Sequence, residues 1–314
     1  MNIFLTGGAG YIGSIAAQKL TEAGHTVTVY DSLVTGHREA VPTGVKFVQG
    51  DLGDSQFLQD VLQSGSFQAV MHFAAFIEAG ESMQDPGKYY RNNLNHSVQL
   101  IEAVHRAGIP RFVLSSTAAV YQSSDQPLAE DSPLGPVNVY GHTKLMIEQV
   151  LDWYREIKGL HYAALRYFHQ PESHLIPLVL QVALGQREEI SIFGTDYPTP
   201  DGTCIRDYIH VADLVSAHIL ALDALEDESR LVYNLGNGQG YSVREVIQTA
   251  REVTSHPIPA QETPRRPGDS PRLVASSQKI REELGWEPRI PALEDIIASA
   301  WKWHKEHPHG YRSL

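Results

Sequence analysis

A chain of 314 residues, 42% apolar and 20% charged, is long enough for a large core or two domains and has the composition of an ordinary globular protein. Its formal net charge of −12 argues against a nucleic-acid partner, and the short basic run PRRPGD suits only a small anion. No window approaches the ~18 apolar residues of a membrane span, and the opening stretch MNIFLTGGAGYIG meets fold signals at once, without a basic segment and cleavage site. The one cysteine, Cys204, excludes an intramolecular disulfide, and together these features predict a reducing cytoplasm.

The first elements read as a β-α-β unit: the apolar run NIFLT, a helical period from Tyr11 to Ala23 that stops at Gly24, then the β-branched run TVTVYD. Between the first strand and helix, TGGAGYIG places Gly7, Gly10 and Gly13 where a backbone can approach a pyrophosphate at a positive helix N-terminus. Asp31 closes the next strand, about 20 residues on, where a carboxylate accepts ribose hydroxyls and repels a 2′-phosphate. NAD is thus favoured over NADP. Further strands are VKFVQ, AVMHFAA, RFVLSS and HYAALRYF, with helices around Ser55 to Leu62, Lys88 to Ala107 and Gly141 to Ile157. Gly50 and Asp51, and Phe73 to Ala75, follow strands and border the adenine and middle of a dinucleotide. Strict alternation predicts an α/β fold, a Rossmann-type doubly wound parallel sheet covered on both faces. After Phe168 the elements shorten and Pro/Gly-rich loops appear, which predicts a smaller α/β substrate-binding lobe.

Two stretches place a lysine four residues after a tyrosine, Tyr140 with Lys144 and Tyr154 with Lys158. At that spacing both side chains share a helix face, and an ammonium there can lower a phenol from its usual pKa of about 10. Tyr140 follows the loop EDSPLGPVNV and opens its helix at the carboxyl edge of the sheet, where open α/β sheets bind ligands. Lys158 precedes Gly159 and suits a helix C-terminus instead, so the second pair is structural. VLSSTAAVY adds hydroxyls at Ser115, Ser116 and Thr117 at the end of another strand.

TGGAGYIG, Asp31, SSTAAVY and YGHTK together resemble the extended short-chain dehydrogenase/reductase group. RYF, HLIPLVLQVALG, IFGTDYPTPDGTCIRDYIHVADL and RRPGD resemble its UDP-glucose 4-epimerase family, and the likeness runs nearly end to end. It implies interconversion of UDP-glucose and UDP-galactose through a 4-keto sugar with NAD as cofactor, no metal, and a small-molecule UDP-sugar as partner. Tyr140 is then the acid/base, Lys144 its modulator and Thr117 the hydroxyl bridging the sugar oxygen. The NAD site is implied at Gly7, Gly10, Tyr11, Ile12, Gly13, Asp31, Ser32, Asp51, Leu52, Phe73, Ala74, Ala75, Asn92, Ser115, Tyr140, Lys144 and Tyr167. The UDP-sugar site is implied at Thr117, Tyr140, Phe168, His174, Leu175, Ser191, Phe193, Arg206, Tyr208, Arg266, Asp269 and Leu273. Residues 1–168 and 208–236 would carry NAD, and 169–207 and 237–314 the sugar nucleotide, in a homodimer built through the Lys88–Ala107 and Gly141–Ile157 helices.

There are departures. The family's RYFN precedes a longer glycine-rich loop before HLIP, whereas here Phe168 runs directly into HQPESHLIP, without the asparagine that ordinarily touches the diphosphate. Gln122 stands where the family's VYG has glycine. A sugar-nucleotide dehydratase would need an Asp-Glu pair after the bridging threonine, where this chain has Ala118 and Ala119. A redox-sensing NAD-binding regulator would need neither Tyr140 nor Lys144.

Overall fold

A computed structural model describes residues 1–122, 124, 126–167, 175–266 and 269–311. Phe168 and His174 lie outside the described residues. The first part of the chain runs β1 (Asn2–Thr6), α1 (Tyr11–Glu22), β2 (Thr26–Asp31), β3 (Lys46–Gln49), α2 (Ser55–Ser64) and β4 (Ala69–His72). It continues through α3 (Ala79–Gln84), α4 (Pro86–Tyr89), a π-helical turn (Tyr90–Asn95), α5 (His96–Arg106), β5 (Arg111–Ser115), α6 (Val139–Lys158) and β6 (His161–Tyr167). The second part runs α7 (Leu175–Ala183), β7 (Ile190–Phe193), β8 (Ile205–Asp207), α8 (Val211–Ala224), β9 (Arg230–Leu235) and β10 (Gly240–Ser242). After these come α9 (Val243–Thr254), β11 (Ala260–Thr263), β12 (Arg272–Leu273), α10 (Gln278–Leu284) and α11 (Leu293–Glu306).

Seven strands form one sheet in the order β3-β2-β1-β4-β5-β6-β9, every pairing parallel. Period-2 alternation divides its residues between two cores. Leu5, Val29, Met71 and Val113 pack on one face with Leu20 of α1 and Leu214 of α8. Phe4, Tyr30, Val70 and Phe112 pack on the other with Leu58 of α2, Leu100 of α5 and Ile147 of α6. A parallel sheet buried on both faces explains why its strands read as near-continuous apolar runs. Strand order reverses between β1 and β4, so the crevice at their carboxyl ends is the ligand-binding position of this topology.

Two predicted elements differ from the sequence reading, which also had no strand at β9. AVMHFAA stops being strand at His72, because Phe73 and Ala74 turn against the glycine loop: a Cβ on Gly7 would lie 2.5 Å from the Ala74 nitrogen. The helix expected over 88–107 is interrupted by the π-helical turn, where Asn93 accepts the Phe76 N–H at 2.8 Å and donates to the Phe76 carbonyl at 2.7 Å. Single-turn π-helices concentrate at functional sites.

Beyond β6, a third core joins Val179 and Leu180 of α7, Ile190 and Ile192 of β7, Val246 of α9 and Ile297 of α11. β8 pairs antiparallel with β10 and parallel with β12, while β11 lies parallel to β7. The buried Asp207 carboxylate clasps this region by accepting N–H groups of Asn237 (2.9 Å), Gly238 (3.1 Å) and Ala275 (3.3 Å). Burial nevertheless outweighs these bonds and pushes its carboxyl up to about 6.

Helix α6 starts where Asn138 caps it, its side chain accepting the Gly141 N–H at 2.8 Å. Gly141 brings that helix onto the turn after β5 so closely that a Cβ there would lie 2.3 Å from the Ala119 carbonyl oxygen. A backbone oxygen cannot swing aside as a side chain can. Gly141→Ala should therefore cost about 1–3 kcal/mol of stability by overpacking, measured by urea unfolding, despite alanine's better helix propensity.

Candidate active site

The carboxyl edge of the sheet gathers the chemistry. Thr117 starts a 3₁₀ turn, Ala118–Val120, its hydroxyl accepting the Ala119 N–H at 3.2 Å. That hydroxyl also shares a hydrogen bond with the Tyr140 phenol. Lys144, one helical turn on, is 2% exposed and donates to the Ser115 carbonyl at 2.9 Å. The Ser115 hydroxyl lies 2.5 Å from the Tyr167 phenol, which completes a cluster of Ser115, Thr117, Tyr140, Lys144 and Tyr167.

Electrostatics here differ from the expected ammonium-lowered phenol. Burial pushes the Tyr140 phenol up to about 12, against the lowering from its Thr117 hydrogen bond. Burial also lowers Lys144 to about 8, with Glu148 pulling the other way. Desolvation disfavours both charged forms, and the ammonium faces the Ser115 carbonyl instead of the phenol. His72 beneath is neutral: burial takes it to about 3, and its ring nitrogens contact Thr6 (2.7 Å) and Ser97 (2.8 Å).

Tyr154 sits elsewhere. It packs partly buried beside Leu151 and Ile147 with its ring edge-on to His105, and Lys158 is exposed before the left-handed Gly159. Burial raises its phenol as well, so position on the helix and not acidity separates it from Tyr140.

The glycine loop tests the fit of a dinucleotide. Gly7 has φ +74° and abuts Ala74, and a Cβ on Gly13 would lie 2.2 Å from the Gly7 carbonyl oxygen, so packing within the protein requires both. Gly10 is different. Its nearest atom would be the Gly7 oxygen at 3.3 Å, which leaves the space before α1 open for a group approaching the helix N-terminus. The Asp31 carboxylate is pinned beside it by the Ala9 and Leu33 N–H groups, both at 2.9 Å. Those bonds occupy part of its lone-pair capacity and leave acceptors for a ribose diol. These residues fit NAD. Tyr11 is 51% exposed at this loop, Ile12 packs on the α1 core, and Ser32 follows Asp31 half-buried. Asp51 accepts the Tyr30 hydroxyl on its carbonyl at 2.9 Å, Leu52 packs on the Leu58 core, and Phe73, Ala74 and Ala75 line the turn after β4. Asn92 is half-buried in the π-helical turn and donates to Asn93 at 2.9 Å.

In the second region, Arg206 and Arg266 converge on Asp269. Arg266 Nε donates to it at 3.0 Å, and Arg206 Nη2 lies 3.8 Å from it while Nη1 is held by the Ile205 (2.9 Å) and Ser270 (2.8 Å) carbonyls. Two guanidiniums against one carboxylate leave local positive charge suited to a diphosphate. The Arg266 guanidinium also lies 4.6 Å above the Phe193 ring, whereas its neighbour Arg265 is tied to Asp196 and stacks on Tyr197. Tyr208 follows β8 and packs with Leu175 against the Val179 core, and Ser191 lies in β7. Leu273, paired in register with Arg206, packs on Ala118, Val120 and Tyr121, and so spans from the arginine cluster to the turn after Thr117.

Sequence reasoning missed Ser82, whose hydroxyl accepts the Tyr140 N–H at 3.1 Å, and the Asn93 clasp. It also missed Glu148, although a stripe at 140, 144 and 148 was there to read.

A parallel sheet with a glycine-lined switch point and a Thr-Tyr-Lys cluster defines a dinucleotide-dependent enzyme acting on a hydroxyl or carbonyl carbon. The chain belongs to the NAD dependent epimerase/dehydratase family, whose model matches residues 3–236, within its UDP-glucose 4-epimerase branch. It is 49% identical to a UDP-glucose 4-epimerase of Halalkalibacterium halodurans, with 99% of this chain and 98% of that one covered. A crystal structure of a UDP-glucose 4-epimerase is 50% identical, with both chains fully covered (100% each) and a TM-score of 0.95. The Bifidobacterium longum UDP-glucose 4-epimerase in complex with NAD+ and UDP is 34% identical, with 99% of this chain and 100% of that one covered and a TM-score of 0.93.

The lowered lysine gives a stability prediction. An amine at about 8 folded and about 10.5 unfolded makes the charged form a cost of roughly 3 kcal/mol below pH 8, which is relieved as pH rises toward 10.5. Lys144→Met, which has no such proton to lose, should gain least from that rise. The difference in urea unfolding free energy between it and wild type should move toward wild type between pH 8 and 10.5, and a pH-independent difference would refute the shift.

Proposed function

We propose that the chain interconverts UDP-glucose and UDP-galactose by inverting sugar C4. The observation that carries this is the Tyr140–Thr117 contact with Lys144 one turn behind it, set beside a loop built for NAD. NAD, when bound, supplies a reversible hydride acceptor for C4 and a positive charge beside the phenol. Tyr140 takes the proton of the 4-hydroxyl and returns it, with Thr117 holding the sugar oxygen in reach. Lys144 contributes a cation that favours tyrosinate and a donor for the nicotinamide ribose. Asp31 holds the adenosine ribose, and Arg206, Arg266 and Asp269 anchor uridine diphosphate while the sugar turns.

The division that supports this reading gives residues 1–168 and 208–236 to NAD and 169–207 and 237–314 to the sugar nucleotide. Homodimerisation through α5 and α6 is supported by Trp153 and Ile157, each 66% exposed and one turn apart on α6. No helix among the described residues is long and apolar enough to cross a membrane, and the buried single Cys204 suits a reducing cytoplasm. A dehydratase reading gains nothing from Ala118 and Ala119, which offer no acid to expel water.

The direct test is conversion of UDP-galactose by purified protein without added NAD, since a reaction with no net redox change needs only retained cofactor. Tyr140→Phe should lower turnover by about 10²-fold or more while leaving NAD bound, with Tyr154→Phe close to wild type. Equal activity of the two variants would refute the assignment. At Leu273, a side chain of intermediate size predicts slow turnover of UDP-N-acetylhexosamines. Leu273→Ser should raise kcat/KM for the acetamido pair selectively, within the ~1–3 kcal/mol that pocket size commands. An equal change for both substrate pairs would count against that role.

A further inference from the structure

Tyr140, Lys144 and Glu148 lie at i, i+4 and i+8, a single stripe of α6, and each meets one of three consecutive residues, 115–117, at the end of β5. Tyr140 meets Thr117, Lys144 donates to the Ser115 carbonyl at 2.9 Å, and Glu148 accepts the Ser116 hydroxyl at 2.5 Å. The first two contacts involve the reactive cluster. The third has no part in the chemistry proposed above, yet it is the most heavily built.

Glu148 is 4% exposed and Arg166 3% exposed. Arg166 meets the carboxylate in a fork, Nη2 to Oε2 at 2.5 Å and Nε to both oxygens at 3.1 and 3.2 Å. Its remaining arm donates to the Tyr121 hydroxyl at 2.8 Å, which donates on to the Asn234 side chain at 2.7 Å. The Asn234 amide in turn donates to the Leu128 carbonyl at 2.9 Å and its backbone N–H to Glu130 at 2.7 Å. The chain of bonds thus joins α6, the turn after β5, β6 and β9. A buried ion pair of this kind is a poor source of net stability, because the desolvation of two charges consumes most of the attraction. Its better-attested use is to fix a register.

We infer that Glu148, Arg166 and Ser116 are positioning residues for C4 epimerisation, locking α6 in the one register on the 115–117 segment that sets Tyr140 against Thr117 and Lys144 against Ser115. Neither charge touches substrate or cofactor in this reading. Glu148 also supplies the negative charge that partly offsets burial at Lys144. The inference rests on the epimerase reading, so wild-type turnover of UDP-galactose is the separate check on that reading.

Two variants of the holoenzyme test the lock. Ser116→Ala removes one hydroxyl and leaves the ion pair in place. It should lower kcat about tenfold with KM and bound NAD unchanged, measured at a temperature well below unfolding, so that the modest drop in melting temperature expected from losing one buried hydrogen bond does not account for the loss. Glu148→Met/Arg166→Met removes both charges together at similar volume, a change that buried pairs commonly tolerate in stability. It should remain folded with NAD bound and lose about 10²-fold in kcat, as for a misplacement on the order of 1 Å. With wild type active, wild-type kcat in Ser116→Ala would overturn the inference. So would losses of kcat that only track lost NAD or lowered melting temperature, since those would assign the network to stability alone.

Discussion

Helix α6 and the turn after β5 approach each other at backbone distance, and the absent Cβ of Gly141 is what permits it. Everything reactive depends on this contact. The Asn138 cap starts the helix immediately before Tyr140, the Ser82 hydroxyl holds the Tyr140 N–H, and the strand edge delivers Ser115 and Thr117 to the same face. A helix displaced by the width of one methyl group would still bury its apolar side against Leu100 and Val104 of α5, so the hydrophobic core alone does not dictate the distance between phenol and threonine. Polar contacts and one glycine do. They turn a tolerant packing arrangement into a defined one, which is the condition for proton transfer between positioned groups.

The same closeness has an electrostatic consequence. Burial drives Tyr140 up to about 12 and Lys144 down to about 8, so the desolvated pair sits with both groups biased toward neutrality. The local lysine-to-tyrosine spacing is therefore insufficient by itself to give a tyrosinate near neutral pH. In the proposed reaction the positive charge of bound NAD would add to that of Lys144 in favouring the ionised phenol.

Much of this was legible in the sequence where the physics is local. Gly7, Gly10, Gly13 and Asp31 are spaced by the geometry of a single β-α-β unit, and Tyr140 with Lys144 by one turn of a helix. The parallel sheet and six of its seven strands followed from the alternation of apolar runs with helical periods, while β9, which joins it beside β6 from beyond the change of texture, did not. What the sequence hid was tertiary. Arg166 finds Glu148 across 18 residues and Tyr121 across 45, and the Tyr140 N–H finds Ser82 across 58, separations that no periodicity encodes. The π-helical turn was invisible for a related reason: Tyr-Arg-Asn-Asn-Leu-Asn has no local preference for an extra residue per turn, and the turn accompanies an Asn93 clasp onto the loop at Phe76. The acidity of Tyr140 was misjudged because helical spacing reports which charges are near and is silent on how dry their surroundings are.

The arginine cluster stands on a different kind of support. Arg206 and Arg266 share Asp269, and the clasp at the neighbouring Asp207 closes β8, β12 and the Asn237 turn around them. These short strands have few ladder bonds of their own, so the buried Asp207 carboxylate and the half-buried Asp269 carboxylate add the ties that the long parallel sheet supplies for the dinucleotide side. Leu273 is where the two constructions meet, register-paired with Arg206 on one side and packed on Ala118 and Tyr121 on the other. In the proposed reading, with the diphosphate at Arg206 and the sugar oxygen at Thr117, the two anchors would be referenced to each other through one half-buried apolar side chain. Because that link is packing without hydrogen bonds, its size could vary while both anchors stay fixed, so sugar selectivity would change there without disturbing the chemistry.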